Sequence, residues 1–345
     1  MINVRIDGIG TASPEYIVDQ EIVRATVERV FGESVQDLSR LLHVFEHGHI
    51  QTRRFVRPPE WYATEHGFAE SNAVYAESAV RLATEAARVA LAGREKEVVG
   101  IVVASTTGIM TPSLDAALIQ TLGLSLHTKR LPIFGLGCAA GVAGLARAAE
   151  MSRALGGGLV LFVAVEICSV TFQQSDTSKS NIVGSSIFGD GAAAVCVSSI
   201  GTGPTIIGSY STLFPGTEDI MGWDVADTGL RVRFSRDIPS FVRQHLPTVL
   251  DDACASWSIA RNEITSIIAH PGGAKVLDAY AEATGMPPST FTIARTILRD
   301  YGNMSSVSVL FVLNEFLNTT NTPGYAIMSA LGPGFSAEQL LVTSY

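Results

Sequence analysis

The chain is poor in the features that would place it outside a reducing compartment or within a membrane. Its 345 residues include only four cysteines. Cys138, Cys168, Cys196 and Cys254 form no CxxC pair, so free thiols are predicted rather than a disulfide framework. The segment MINVRIDGIGTASPEYIVDQ lacks a basic stretch followed by an apolar core, and no secretion signal is predicted. Continuous apolar runs such as Leu159 to Val165 fall far short of the roughly 18 residues of a membrane span. The uncharged stretch Gly191 to Thr217 is rich in Ser and Thr and is broken by Gly201-Thr202-Gly203-Pro204. A cytoplasmic protein with no integral membrane segment is expected. Basic excess is also missing. A net charge of -9 argues against a nucleic-acid surface, because phosphate contacts need a clustered basic face. Any anionic ligand would need a local basic mouth.

Histidines are few, and three lie close together in HVFEHGH. His43 and His47 would share a helix face with His49 nearby, but neither a cysteine nor a set of carboxylates accompanies them, so no metal site is expected.

What the chain does have is apolar residues, 47% of the total, enough for one large or two moderate cores. Residues 98–106, 131–134, 158–166 and 192–199 read as strands buried on both faces, with a helix over 75–91 and another after Cys138. After Gly201-Thr202-Gly203-Pro204, which stops regular structure, the alternation repeats. TIIGSYST, TSIIAHP, YAIMSAL and EQLLVTS supply strands; AKVLDAYAEATG and MSSVSVLFVLNEF supply helices. The class is α/β in two similar halves. The more polar segment from Ile17 to about Val74 reads as a helical excursion covering a substrate entrance.

Cys138 follows the short strand Leu131 to Phe134 and a Gly-Leu-Gly turn, and it precedes a helix of small residues. A thiol at a helix N-terminus meets unpaired N–H groups and the positive end of the dipole, which favour thiolate. An imidazolium nearby would strengthen that preference. His270 is the candidate partner, since it ends the apolar strand TSIIA and precedes Pro-Gly-Gly. Asn303 stands between Tyr301-Gly302 and a helix, where it either caps that helix or donates its amide to a substrate carbonyl.

GCAAG, HPGG and YGNMSS, in that order, resemble the Cys, His and Asn segments of type III polyketide synthases, the chalcone-synthase-like members of the thiolase superfamily. VEICSVTFQ, NIVGSSIFGDGAAAVCV, DIMGWDVADTGLRV and ALGPGFSAEQLL are similar as well, so the resemblance runs from about Ile9 to the C-terminus. It implies a thiolase-like α/β fold, layered αβαβα, of two pseudo-duplicated halves each with a five-stranded mixed sheet. Residues 1–203 would carry Cys138 and the entrance cover, and residues 204–345 would carry His270 and Asn303.

The implied activity is an acyltransferase that condenses malonyl-CoA iteratively onto an acyl-CoA starter held on Cys138. The bacterial flavour of VEICSVTFQ resembles enzymes taking fatty acyl starters, with closure to a pyrone or resorcinol. CoA thioesters are the substrates, with no cofactor and no metal. A homodimer is implied, in which the region around Thr111 approaches the partner's cavity. Among site residues, the resemblance makes Phe188 a gate and Thr106, Thr107, Cys168, Thr171 and Ser305 cavity-lining positions. It places Arg53 and Arg54 at the CoA phosphates, and Gly332, Pro333 and Gly334 in the loop that shapes cyclisation. Val232 replaces a second aromatic gate, which suggests a wider opening, while Asp190 ties down a turn and Trp223 packs beneath the cavity. Two alternatives remain open at this level. One is a single-condensation β-ketoacyl synthase III-like or chain-joining enzyme fed by an acyl carrier protein; the other is a noncatalytic acyl-binding partner.

Overall fold

Strands apolar on both faces need helices on both sides, and the computed structural model of the protein, which describes residues 2–32, 34–320 and 323–344, supplies them. The first half runs β1 (Val4–Ala12), β2 (Tyr16–Asp19), α1 (Gln20–Phe31), α2 (Leu38–His47), β3 (Thr52–Phe55), α3 (Pro59–Tyr62) and α4 (Phe68–Leu91). It continues with β4 (Val98–Ala104), α5 (Leu114–Leu122), β5 (Lys129–Ile133), α6 (Ala140–Ala154), β6 (Leu159–Ile167), α7 (Lys179–Ile187) and β7 (Asp190–Ser198). The second half runs β8 (Thr205–Leu213), β9 (Met221–Ala226), β10 (Gly229–Phe234), α8 (Ile238–Ser256), β11 (Ile264–Ala269) and α9 (Ala274–Thr284). It ends with α10 (Thr292–Tyr301), α11 (Ser308–Thr319), β12 (Gly324–Gly332) and β13 (Ser336–Ser344). Among the described residues no helix is long and apolar enough to cross a membrane.

Nine strands form one mixed sheet in the order β11-β12-β13-β8-β1-β7-β6-β4-β5. The first half contributes the five strands expected of it. Among the described residues the second contributes four, because α9 and α10 occupy the stretch where the first half has β5. The halves meet at a short antiparallel seam in which Val4 pairs with Ile206 and Arg5 with Thr205.

The sheet wraps around two central helices. α6 touches β4 and β6 of the first half and β12 and β13 of the second, while α11 touches β11 and β12 together with β1 and β7. With α4 and α5 outside the first half and α8 and α9 outside the second, the order of layers is helix, sheet, helix, sheet, helix. One continuous apolar cluster joins α6, α11 and strands of both halves. Close approach explains the small residues of α6. A Cβ at Gly144 would fall 2.2 Å from the Phe162 ring, and one at Gly141 would fall 2.2 Å from the Ser306 carbonyl oxygen.

The predicted helix at 75–91 begins earlier, at Phe68, because its first turns carry Glu70, Ser71 and Asn72 and so show little apolar periodicity. The excursion expected between Ile17 and Val74 holds the β2–β3 ribbon and helices α1 to α3 around its own cluster of Val18, Val27, Phe31, Leu42, Phe45 and Phe55. That cover docks on α7.

Candidate active site

Cys138 lies in a single 3-10 turn (Gly137–Ala139) that feeds directly into α6. Gly137, at φ +45°, turns the chain there and packs against Pro333. The second half repeats the device. Asn303 lies one residue, Met304, ahead of the turn Ser305–Val307 that feeds α11. Two polar side chains thus stand at the N-terminal ends of the two central helices, one from each half. His270 directly follows β11, where its N–H continues the ladder to the Ser329 carbonyl at 2.8 Å.

Cys138, His270 and Asn303 are each buried, and all three line one cavity of about 420 Å³. Cys138 Sγ donates to Ser305 Oγ at 3.6 Å. Asn303 divides its amide: Oδ1 accepts from the Ser305 N–H at 2.8 Å, and Nδ2 donates to the Gly272 carbonyl at 3.1 Å. It therefore acts partly as the helix cap considered from sequence, while Nδ2 keeps a second hydrogen. Neither ring nitrogen of His270 has a partner among the described residues.

Burial favours the uncharged form of both groups. It pushes the Cys138 thiol up to about 11, with the Ser305 hydrogen bond pulling the other way and the Glu166 field adding to the rise. It lowers the His270 imidazole to about 3. Desolvation thus favours the thiol and the neutral imidazole, and it opposes the thiolate and imidazolium that the helix terminus and the pairing would favour.

The chain matches the N-terminal domain of the chalcone and stilbene synthases over residues 3–204 and their C-terminal domain over residues 205–345. The chain belongs to this family. A chalcone-synthase-like protein of Bacillus subtilis (strain 168) is 40% identical over 96% of this chain and 96% of its own. A 1,3,6,8-tetrahydroxynaphthalene synthase of Streptomyces peucetius subsp. caesius is 34% identical over 98% and 92%. The crystal structure of the 1,3,6,8-tetrahydroxynaphthalene synthase of Streptomyces coelicolor A3(2), described as a bacterial type III polyketide synthase, superposes with a TM-score of 0.94 at 29% identity over 99% of each chain. The protein is thus a type III polyketide synthase, an acyltransferase that condenses malonyl-CoA iteratively with CoA thioester substrates and requires no cofactor.

In this type III polyketide synthase a second cavity, small (about 50 Å³) and mostly apolar, lies behind α7. Phe188, Cys168, Thr171, Val232 and Arg53 line it with residues of α1. The Phe188 ring has aromatic neighbours: Phe234 at 5.6 Å and Trp223 at 6.1 Å between centroids. The aromatic contact that Val232 lacks is thus made by Phe234, two residues on. Gly332 and Pro333 do not line the main cavity. They pack under the Cys138 turn, with Pro333 on Gly137, and Leu331 is the loop residue at the cavity wall. Gly334, at φ +130°, follows them.

Arg53 is withdrawn from solvent, and Arg54 is half-buried. Arg53 is 1% exposed and donates to the backbone carbonyls of Ser185 and Phe188, while Arg54 lies over the Tyr301 ring at 5.2 Å. The pair falls on β3, whose alternation turns Arg53 inward. Exposed cations at the mouth of the main cavity come instead from Arg40 of α2, Arg236 and Lys275, with His43 and His47 on the Arg40 face of α2. The spacing of 40, 43 and 47 on one helix face was the available signal.

Sequence reasoning also passed over Glu166. It is a lone carboxylate in the otherwise apolar β6, wholly buried, and it collects the three positions around it. Oε2 accepts from the Thr106 N–H and the Thr107 hydroxyl, each at 2.9 Å, and Oε1 accepts from the Ser306 hydroxyl at 2.7 Å. Burial raises it to about 7. Thr107 also accepts from the Ile167 N–H at 2.8 Å, so its hydroxyl is committed to this knot. Asp190 holds its turn as expected, accepting from the N–H groups of Val56 (3.0 Å) and Ser169 (2.8 Å) and from the Ser169 hydroxyl (2.6 Å).

Proposed function

We propose that Cys138 is the nucleophile that takes a fatty acyl starter from CoA, and that His270 and Asn303 together hold the malonyl thioester carbonyl while CO2 departs. The reading rests above all on one observation: a thiol, an imidazole and a carboxamide from distant parts of the chain line one cavity whose mouth carries Arg40, Arg236 and Lys275. Cys138 attacks the starter carbonyl, its proton passes to the neutral His270, and CoA leaves as the thiol. Malonyl-CoA then loses CO2, the developing enolate oxygen is met by hydrogen bonds from the imidazole and from the free Nδ2 hydrogen of Asn303, and the α-carbon attacks the Cys138 thioester. Its C–S bond breaks and releases the Cys138 sulfur, which takes up a proton; the β-ketoacyl-CoA so formed reloads onto Cys138 with loss of CoA for the next round. Each round extends the chain by two carbons.

The fatty acyl starter rests on the resemblance of VEICSVTFQ, since the smaller apolar cavity of about 50 Å³ is too small for a long alkyl chain. Ring closure to a pyrone or resorcinol completes the reading. Residues 1–203 and 204–345 serve as its two halves. A homodimer forms about the β5 edge, where Ile109, Leu126 and Phe134 are exposed. The test is incubation with acyl-CoA starters from short to long and labelled malonyl-CoA, followed by mass spectrometry. Products carrying several labelled C2 units and a long alkyl chain support the proposal. A single extension, activity only with acyl carrier protein, or turnover of malonyl-CoA alone defeats it.

A further inference from the structure

Arg53 heads the largest fully buried side chains, yet it has no carboxylate within salt-bridge distance among the described residues. Its Nη1 donates to the Ser185 and Phe188 carbonyls, the latter at 3.0 Å, while Nε and Nη2 find no partner among the described residues. The guanidinium lies over the Phe55 ring at 5.4 Å, with Asp190 as the nearby counter-charge, and burial brings it down to about 9. Burying a partly satisfied cation is unfavourable, so its contacts call for a local explanation.

Those contacts converge on Asn303 from two sides. Ser185 lies in the last turn of α7 and Phe188 directly follows it, where helix carbonyls lack intrahelical partners. Phe188 forms a bridge with Asn303: the Asn303 N–H donates to the Ile187 carbonyl at 2.7 Å, and the Gly189 N–H donates to the Asn303 carbonyl at 3.1 Å. The stem of Arg53 backs the other flank. Gly302 sits at φ +70°, and a Cβ there would fall 2.9 Å from Arg53 Cγ and 3.0 Å from Cδ. One side chain therefore fixes the strand that Asn303 pairs with and the turn from which it emerges. Cys138, mounted on α6, has no such contact with Arg53.

We propose that Arg53 is a positioning residue that sets the register of the Phe188–Asn303 bridge, and so aims the Asn303 amide at the malonyl thioester, while leaving acylation of Cys138 independent of it. The inference rests on the roles given to Cys138 and Asn303 above. It predicts a split between the two half-reactions. With Arg53→Met, malonyl-CoA decarboxylation should lose on the order of 10²-fold in kcat, as displaced catalytic groups do, with a smaller change in KM. Formation of the Cys138 acyl adduct, followed by mass spectrometry, should stay within a few-fold. Arg53→Lys, which retains a charged donor for the two carbonyls, should recover part of the decarboxylation and shows the same split should the Met variant fail to fold. Equal losses in both half-reactions for the folded variants, or no loss in either, overturn the inference alone. A wild-type protein that performs neither half-reaction overturns the functional reading and this inference with it.

Discussion

At Cys138 burial favours the thiol over the thiolate, and at His270 it favours the neutral imidazole, so attack on a thioester should coincide with proton transfer to His270. The consequence is measurable. Alkylation of the resting enzyme at Cys138 by iodoacetamide should be slow at pH 7 and climb steadily toward pH 11, and His270→Gln should leave its pH 7 rate nearly unchanged because burial favours the uncharged imidazole. A rate that plateaus by pH 7 would show a preformed ion pair instead. Glu166 gives a second titration. Its folded value of about 7 lies above the ordinary glutamate value of about 4.5, so between those values the folded state binds more protons than the unfolded, and its contribution to stability is lost as pH rises through about 7. The melting temperature of Glu166→Gln relative to wild type should therefore become more favourable between pH 5 and pH 8. A constant difference would count against a raised carboxyl. The sequence showed Cys138, His270 and Asn303 because each sits in a short, distinctive motif. It could not show Glu166 or Arg53 in their places, since each is defined by partners more than a hundred residues away, Ser306 for one and Ser185 with Phe188 for the other.

At the level of elements, the two central helices set the spacing of the site. α6 approaches the Ser305–Val307 turn so closely that Gly141→Ala would press a methyl on the Ser306 carbonyl, and Gly144→Ala would press one on Phe162. Each should destabilise by about 1–3 kcal/mol, as overpacking does, read by denaturant midpoints. Gly141→Ala should also depress decarboxylation more than Gly144→Ala, since it moves the turn that holds Asn303. Strands such as β6 and β7 were legible because every residue in them is buried and their composition is almost wholly apolar or small. The short ribbon β2–β3 was not, because Thr52, Arg53 and Arg54 read as polar surface until Phe55 and the cover pack over them. Helical polarity likewise hid the first two turns of α4.

Taken whole, the molecule is acidic, with a net charge of -9, yet its main cavity opens between exposed cations. Attraction of CoA phosphates should then depend on that local patch alone. Arg40→Ala and Lys275→Ala should each raise KM for acyl-CoA about 2- to 5-fold, the equivalent of ~0.5–1 kcal/mol for an exposed charge, with kcat little altered. Added salt should shrink the difference. At the β5 edge, where Phe134 is 61% exposed, Phe134→Glu should shift the protein toward monomer in light scattering. An unchanged mass would remove that edge from the dimer proposal.

The seam between β1 and β8 holds only two residue pairs, whereas α6 and α11 are each gripped by strands from both ends of the chain. A protein made this way can be nicked without being divided. Two separately expressed fragments, cut in the loop near Gly201, should each be sticky and poorly ordered in isolation. Produced in the same cell, they should knit together and regain turnover.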